Sequence, residues 1–70
     1  MPRTKLTIEG MSCGHCVMAV RNALESLPGV GVEDVVIGSA IVTFDDPALY
    51  EQIQGAIEEE EFKLVARAAL

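Results

Sequence analysis

An α+β fold of order βαββαβ is the architecture this 70-residue sequence predicts, and three features carry the prediction. Four short segments alternate polar with apolar residues or are rich in β-branched ones. Two longer segments repeat apolar residues at helical spacing. Gly or Pro stands at most of the breaks between them. Thr4 to Glu9 alternates, with Leu6 and Ile8 on one face, and reads as a half-buried strand. Gly10-Met11-Ser12 ends it. Val17, Val20, Leu24 and Leu27 then mark the buried stripe of a helix that begins near Ser12 or Cys13 and stops at Pro28-Gly29.

Val30 to Ile37 and Ala40 to Phe44 follow as two strands. Gly38-Ser39 between them fits a type II′ turn, pairing Ile37 with Ala40 and Val35 with Val42 on the core face. Asp34, Val36, Ile41 and Thr43 take the wetter face. Glu33 falls on the core side opposite Phe44, so pairing should end or bulge there. Asp46-Pro47 opens a second helix, Asp as N-cap and Pro at the first position. Leu49, Ile53 and Ile57 form its stripe, and Glu58 to Glu61 its end. Phe62, Leu64 and Ala66 alternate with Lys63, Val65 and Arg67 as a last strand, leaving Ala68 to Leu70 as a frayed tail. Two amphipathic helices and four half-buried strands pack economically with both helices on one face of a four-stranded antiparallel sheet. This is the ferredoxin-like open-faced sandwich, here a single domain over residues 1–70.

Composition narrows what such a domain can do. A chain this short buries only about 60% of its unfolded surface, so a loop site is a better expectation than an enclosed pocket. Half the residues are hydrophobic, which excludes intrinsic disorder. The longest apolar run, Cys16 to Val20, is too short to span a bilayer. Eleven acids against five bases give a net charge of −6, and only Phe44, Tyr50 and Phe62 are aromatic. Such a surface suits neither nucleic acid nor an anionic membrane. It suits a basic partner or a cation.

Both cysteines lie in Cys13-Gly14-His15-Cys16. A bridge between them closes too small a loop to stabilise a fold. They are therefore chemical rather than structural. The N-terminus has no apolar signal core, which points to a reducing cytoplasm, and Met1 together with the unlinked tail points to a standalone protein. At a loop-to-helix junction two sulfurs three residues apart can meet at one point. The helix start offers free N–H groups and positive potential, which favour thiolates. Two thiolates form either a soft-metal clamp or a redox pair. A structural zinc site needs four ligands, whereas the chain holds two Cys and one His. Cu(I) is satisfied by two or three soft ligands.

Gly10-Met11-Ser12-Cys13-Gly14-His15-Cys16 resembles the Gly-Met-x-Cys-x-x-Cys motif of heavy-metal-associated domains, and most of all the small bacterial copper chaperones. The similarity runs on through Val17, Val20, Ala23, Leu24, Leu27 to Val30, the Ala40-x-Val42-x-Phe44 strand and the acidic end of the second helix. The resemblance implies a cytoplasmic Cu(I) carrier with Cys13 and Cys16 as ligands and His15 as a candidate accessory. Its acceptor would be the metal-binding domain of a copper-transporting P-type ATPase. It also implies a protein that is monomeric without metal, with a metal-bridged dimer as an alternative loaded state, and that is not an enzyme. Met11 matches the motif methionine that packs inward. Phe62 matches a position beside the site that is usually Tyr in bacterial members, so it brings no hydroxyl. Glu61 stands where the family usually has Gly, at a left-handed helix end, so Glu costs on the order of 1 kcal/mol or forces another ending. The Gly38-Ser39 turn is short for the family, with compensating length near Gly31.

The rival chemistry is thiol–disulfide exchange, since Cys-Gly-His-Cys is also the active-site tetrapeptide of protein disulfide isomerases. That fold usually has an aromatic residue before the first Cys, where this chain has Ser12. It also needs a cis-Pro facing the motif, and the downstream prolines, Pro28 and Pro47, sit at helix ends. Mercury or zinc handling would use the same loop. A zinc specialist would offer a carboxylate beside the cysteines, whereas Glu9 is four residues away on a strand.

Overall fold

The computed structural model describes residues 3–12 and 14–70. Its elements are β1 (Arg3–Glu9), α1 (Gly14–Glu25), β2 (Gly31–Val36), β3 (Ser39–Thr43), α2 (Ala48–Glu59) and β4 (Lys63–Ala69). The strands form one antiparallel sheet in the order β2-β3-β1-β4. Leu6 and Ile8 of β1, Val35 of β2, Ala40 and Val42 of β3 and Leu64 of β4 meet Val20 and Leu24 of α1 and Ile53 and Ile57 of α2 in one buried cluster. Each large aliphatic side chain buried there contributes about 1.5–3 kcal/mol, and this cluster is what holds the helices on the sheet.

The β2–β3 turn differs from the expected one. Val36 pairs with Ser39 and Val35 with Ala40, so the turn residues are Ile37-Gly38, not Gly38-Ser39. Type II′ would need a positive φ at Ile37. The positive φ lies instead at Gly38, 92°, in the second central position. Ile37 is therefore a turn residue, 57% exposed, and not part of the core. The register moves by two residues, so Val35, Ala40 and Val42 keep the expected face. Glu33 is the extra residue of a bulge between Val32 and Asp34. From there its carboxylate reaches Arg3 across β3 at 3.1 Å. Beyond the bulge Gly31 lies opposite Thr43, whose hydroxyl fills the space a side chain at Gly31 would need.

A second bulge changes β4. Ile8 pairs with Leu64 but Thr7 with Ala66, leaving Val65 as the extra residue. The expected alternation therefore holds only at the start. Leu64 is buried and Phe62 half-buried, while Ala66 is exposed and Arg67 takes the helix side, its guanidinium 3.9 Å over the Tyr50 ring. Nor does the tail fray. Ala68 and Ala69 pair with Lys5 and Thr4, and the Leu70 N–H donates to the Arg3 carbonyl at 2.8 Å. The strand continues because β1 already begins at Arg3 and offers it partners.

At the start of α2 the Asp46 carboxylate accepts the Ala48 N–H at 3.0 Å, and Pro47 already has helical angles. The far end is left-handed. Glu61 has φ 68, the Phe62 N–H donates to the Ile57 carbonyl and the Glu61 N–H to the Glu58 carbonyl. Those two bonds define a Schellman ending with Glu in the position that Gly usually holds.

Candidate metal centre

β1 delivers the chain to the Cys loop, and three turns of backbone surround that end of the sheet. Gly10 leaves β1 with φ 98. The Gly38 carbonyl accepts the Ile8 N–H at 2.9 Å, which pins the β2–β3 turn beside it. The α2–β4 connection closes the third side. A Cβ built on Gly10 would lie 3.4 Å from the Phe62 ring and 3.7 Å from the Glu61 carbonyl oxygen. The sequence marked Gly10 as a strand breaker and as the first residue of the motif, with no contact assigned to it. The structure makes it the contact point between the loop and the Phe62 connection, and its place before the motif Met was the available signal.

Met11 is 9% exposed and belongs to the buried cluster, as its place in the motif implied. Ser12, Gly14 and His15 are exposed. Cys16 is half-buried in the first turn of α1 and, with Val17 and Phe62, packs against the core. Cys13 lies outside the described residues. The loop is thus anchored before and after its exposed stretch. The first turn of α1 contains no acid, so nothing there offsets the positive potential of the helix start. Glu9 is exposed and sits in the β-ladder opposite Lys63. Glu58 to Glu61, all exposed, end beside Gly10. The acidic run therefore flanks the Cys loop, a placement the sequence alone did not give. A groove of about 420 Å³ lined by Thr4, Phe44, Asp45, Pro47, Arg67 and Ala69 lies at the opposite end of β1, away from this chemistry.

Fold and sequence together define the class: a small α+β sandwich whose Cys-x-x-Cys segment falls where β1 gives way to α1. The chain belongs to the heavy-metal-associated domain family, whose model matches residues 5–63. It is 40% identical over 68 residues to the copper chaperone CopZ of Staphylococcus aureus, covering 93% of this chain and 100% of that protein. A solved CopZ metallochaperone superposes with a TM-score of 0.76 at 36% identity, over 90% of this chain and 98% of the other. The N-terminal domain of ZntA in its Zn(II) form gives 0.76 at 26% identity, over 91% and 89%. The complex of Atx1, Cu(I) and Ccc2a gives 0.66 at 25%, over 100% and 96%.

Proposed function

We propose that this protein is a metal chaperone that carries Cu(I) in the cytoplasm and passes it to the metal-binding domain of a copper-transporting P-type ATPase. Cys13 and Cys16 are the ligands, Met11 anchors their loop, and Phe62 shields one side of it. The observation that carries the reading is an anchored base, Met11 buried and Cys16 half-buried, on either side of a stretch in which Ser12, Gly14 and His15 are exposed at the start of α1. An ion held there by two sulfurs is open to attack by a third. The copper chaperone CopZ, alike over its whole length, supports copper as the cargo. The Zn(II) form of ZntA shows that the same fold can hold zinc. In this chain the first turn of α1 holds no acid and Glu9 lies four residues before Cys13, on β1, which favours Cu(I) over an ion that wants a carboxylate.

Transfer proceeds by ligand exchange. A thiolate of the acceptor adds to Cu(I), giving a three-coordinate bridged ion. One sulfur of this chain then leaves, and a second exchange completes delivery. No electron moves, and each Cu–S bond formed is matched by one broken. The acidic run beside the loop supplies attraction for a basic acceptor surface. No helix among the described residues is long and apolar enough to cross a membrane.

The test is a titration of the reduced protein with Cu(I) against a competing chelator, beside the Cys13→Ser, Cys16→Ser double variant. Wild type should bind one equivalent tightly and the variant should lose that step. Equal binding by the two would reject the proposal, and turnover in an insulin-reduction assay well above that of a free dithiol would replace it with thiol–disulfide exchange.

A further inference from the structure

We propose that His15 and Met18 form a second, weaker soft-metal site on the exposed face of α1, beside the thiolate pair. The inference rests on the Cu(I) reading for the identity of the ion, and on separate residues for the site. Met18 is 62% exposed although methionine is usually a core residue, and it is the most exposed large apolar side chain within the elements. It has no core role: Val20 and Leu24 bury the opposite side of the helix. One exposed apolar residue would by itself mean nothing. What distinguishes this one is its neighbour. His15, the chain's single histidine, is exposed and precedes it by three residues on the same helix. That spacing sets two Cβ atoms about 5–6 Å apart on one strip of helix surface.

An imidazole nitrogen and a thioether sulfur suit Cu(I), and neither must lose a proton that a thiol would. Both donors are neutral, so they bind the ion more weakly than two thiolates and release it more readily. The strip continues to Asn22, which is uncharged. On the same helix Arg21 is ion-paired with Glu25 at 3.1 Å. The strip begins where the Cys loop ends. An ion held by His15 and Met18 therefore sits next to the thiolates, placed to refill them after a transfer.

The test is a stepwise Cu(I) titration of the whole reduced protein, with the Met18 ε-methyl and His15 ring signals followed by NMR. The sulfur-to-copper absorption band is recorded alongside. The first equivalent should build the absorption band. The second should move the Met18 methyl and the His15 ring without enlarging that band. Met18→Leu, which keeps size and helix propensity, should weaken the second step at least tenfold and leave the first unchanged. His15→Gln should also weaken the second step. If the second equivalent leaves the Met18 methyl unmoved, or Met18→Leu binds it as wild type does, the site is refuted. A second ion shared between two copies through cysteines would give that result. If the first step fails while the two signals still move, the thiolate-carrier proposal falls and this site stands.

Discussion

Glu61→Gly should make the protein more stable, although it removes a side chain. Glu61 holds φ 68 at the left-handed position of the α2 ending. That conformation brings the Cβ of an L-residue too close to the carbonyl oxygen that follows it, at a cost of about 1–2 kcal/mol. Glycine removes the strain but adds about 0.4–1 kcal/mol of unfolded-chain entropy. It also removes a negative charge from a helix C-terminus that already carries Glu58, Glu59 and Glu60, worth about 0.3 kcal/mol at an exposed site. The net expectation is a gain of about 1 kcal/mol, or a rise in Tm of about 4–8 °C for a chain of this size. Thermal and urea unfolding followed by far-UV circular dichroism measures it, and an unchanged m-value would confirm that only stability moved. Glu61→Gln separates charge from backbone and should gain only a few tenths of a kcal/mol. If Glu61→Gly proves no more stable than Glu61→Gln, the backbone argument is wrong.

Gly55→Ala should stabilise α2 by about 0.8–1 kcal/mol in the same unfolding assay, because it lies inside the helix with open space where a Cβ would go. Gly31→Ala should destabilise by about 1–3 kcal/mol, since its Cβ would lie 2.5 Å from the Thr43 hydroxyl. Thr43→Ala in the same chain should recover part of that loss, read from a double-mutant cycle. Ile57→Ala should cost about 2–5 kcal/mol, with a large fall in the urea midpoint, because the side chain is fully buried where α2 meets the sheet. Raising ionic strength should slow Cu(I) transfer to a basic acceptor in stopped-flow exchange, because the acidic run beside the loop is exposed and therefore screened.

Most of the fold was legible because periodicity survives local error. The hairpin turn was placed one residue late, yet Val35, Ala40 and Val42 stayed on the core face because the register error was two residues, a full period of a strand. The bulge at Glu33 could be anticipated, since an acid cannot stay on a core face. The bulge at Val65 could not. Val65, Ala66 and Arg67 fit either alternation, and only pairing with β1 decides between them. The extent of β4 was hidden for a similar reason: Ala68 and Ala69 carry no strand signal of their own and are ordered by the start of β1. Around the candidate site, the burial of Met11, the nearness of Phe62 and the strain at Glu61 followed from the motif and its context. The contact of Gly10 with the Phe62 connection, and the acidic run beside the loop, needed three dimensions.

The end of the sheet that carries the loop is also where unusual backbone gathers. Gly10, Gly38 and Glu61 have φ values of 98, 92 and 68. Two of these turns visibly satisfy polar groups: the Gly38 carbonyl takes the Ile8 N–H, and the Glu61 and Phe62 N–H groups donate to the Glu58 and Ile57 carbonyls of α2. These turns build a firm rim, and on either side of the exposed stretch Met11 is buried in the core and Cys16 packs, half-buried, against it. A carrier needs that division. The ion must be reachable by an incoming sulfur, yet the atoms that hold it must not need unfolding to release it. Gly10→Ala tests the rim without touching a ligand. It strains a positive φ and presses a methyl against the Phe62 ring. It should lower stability by about 1–2 kcal/mol. It should also speed loss of Cu(I) to a chelator while the stoichiometry stays at one. If stability falls and the release rate does not change, the rim supports the fold alone and plays no part in holding the ion.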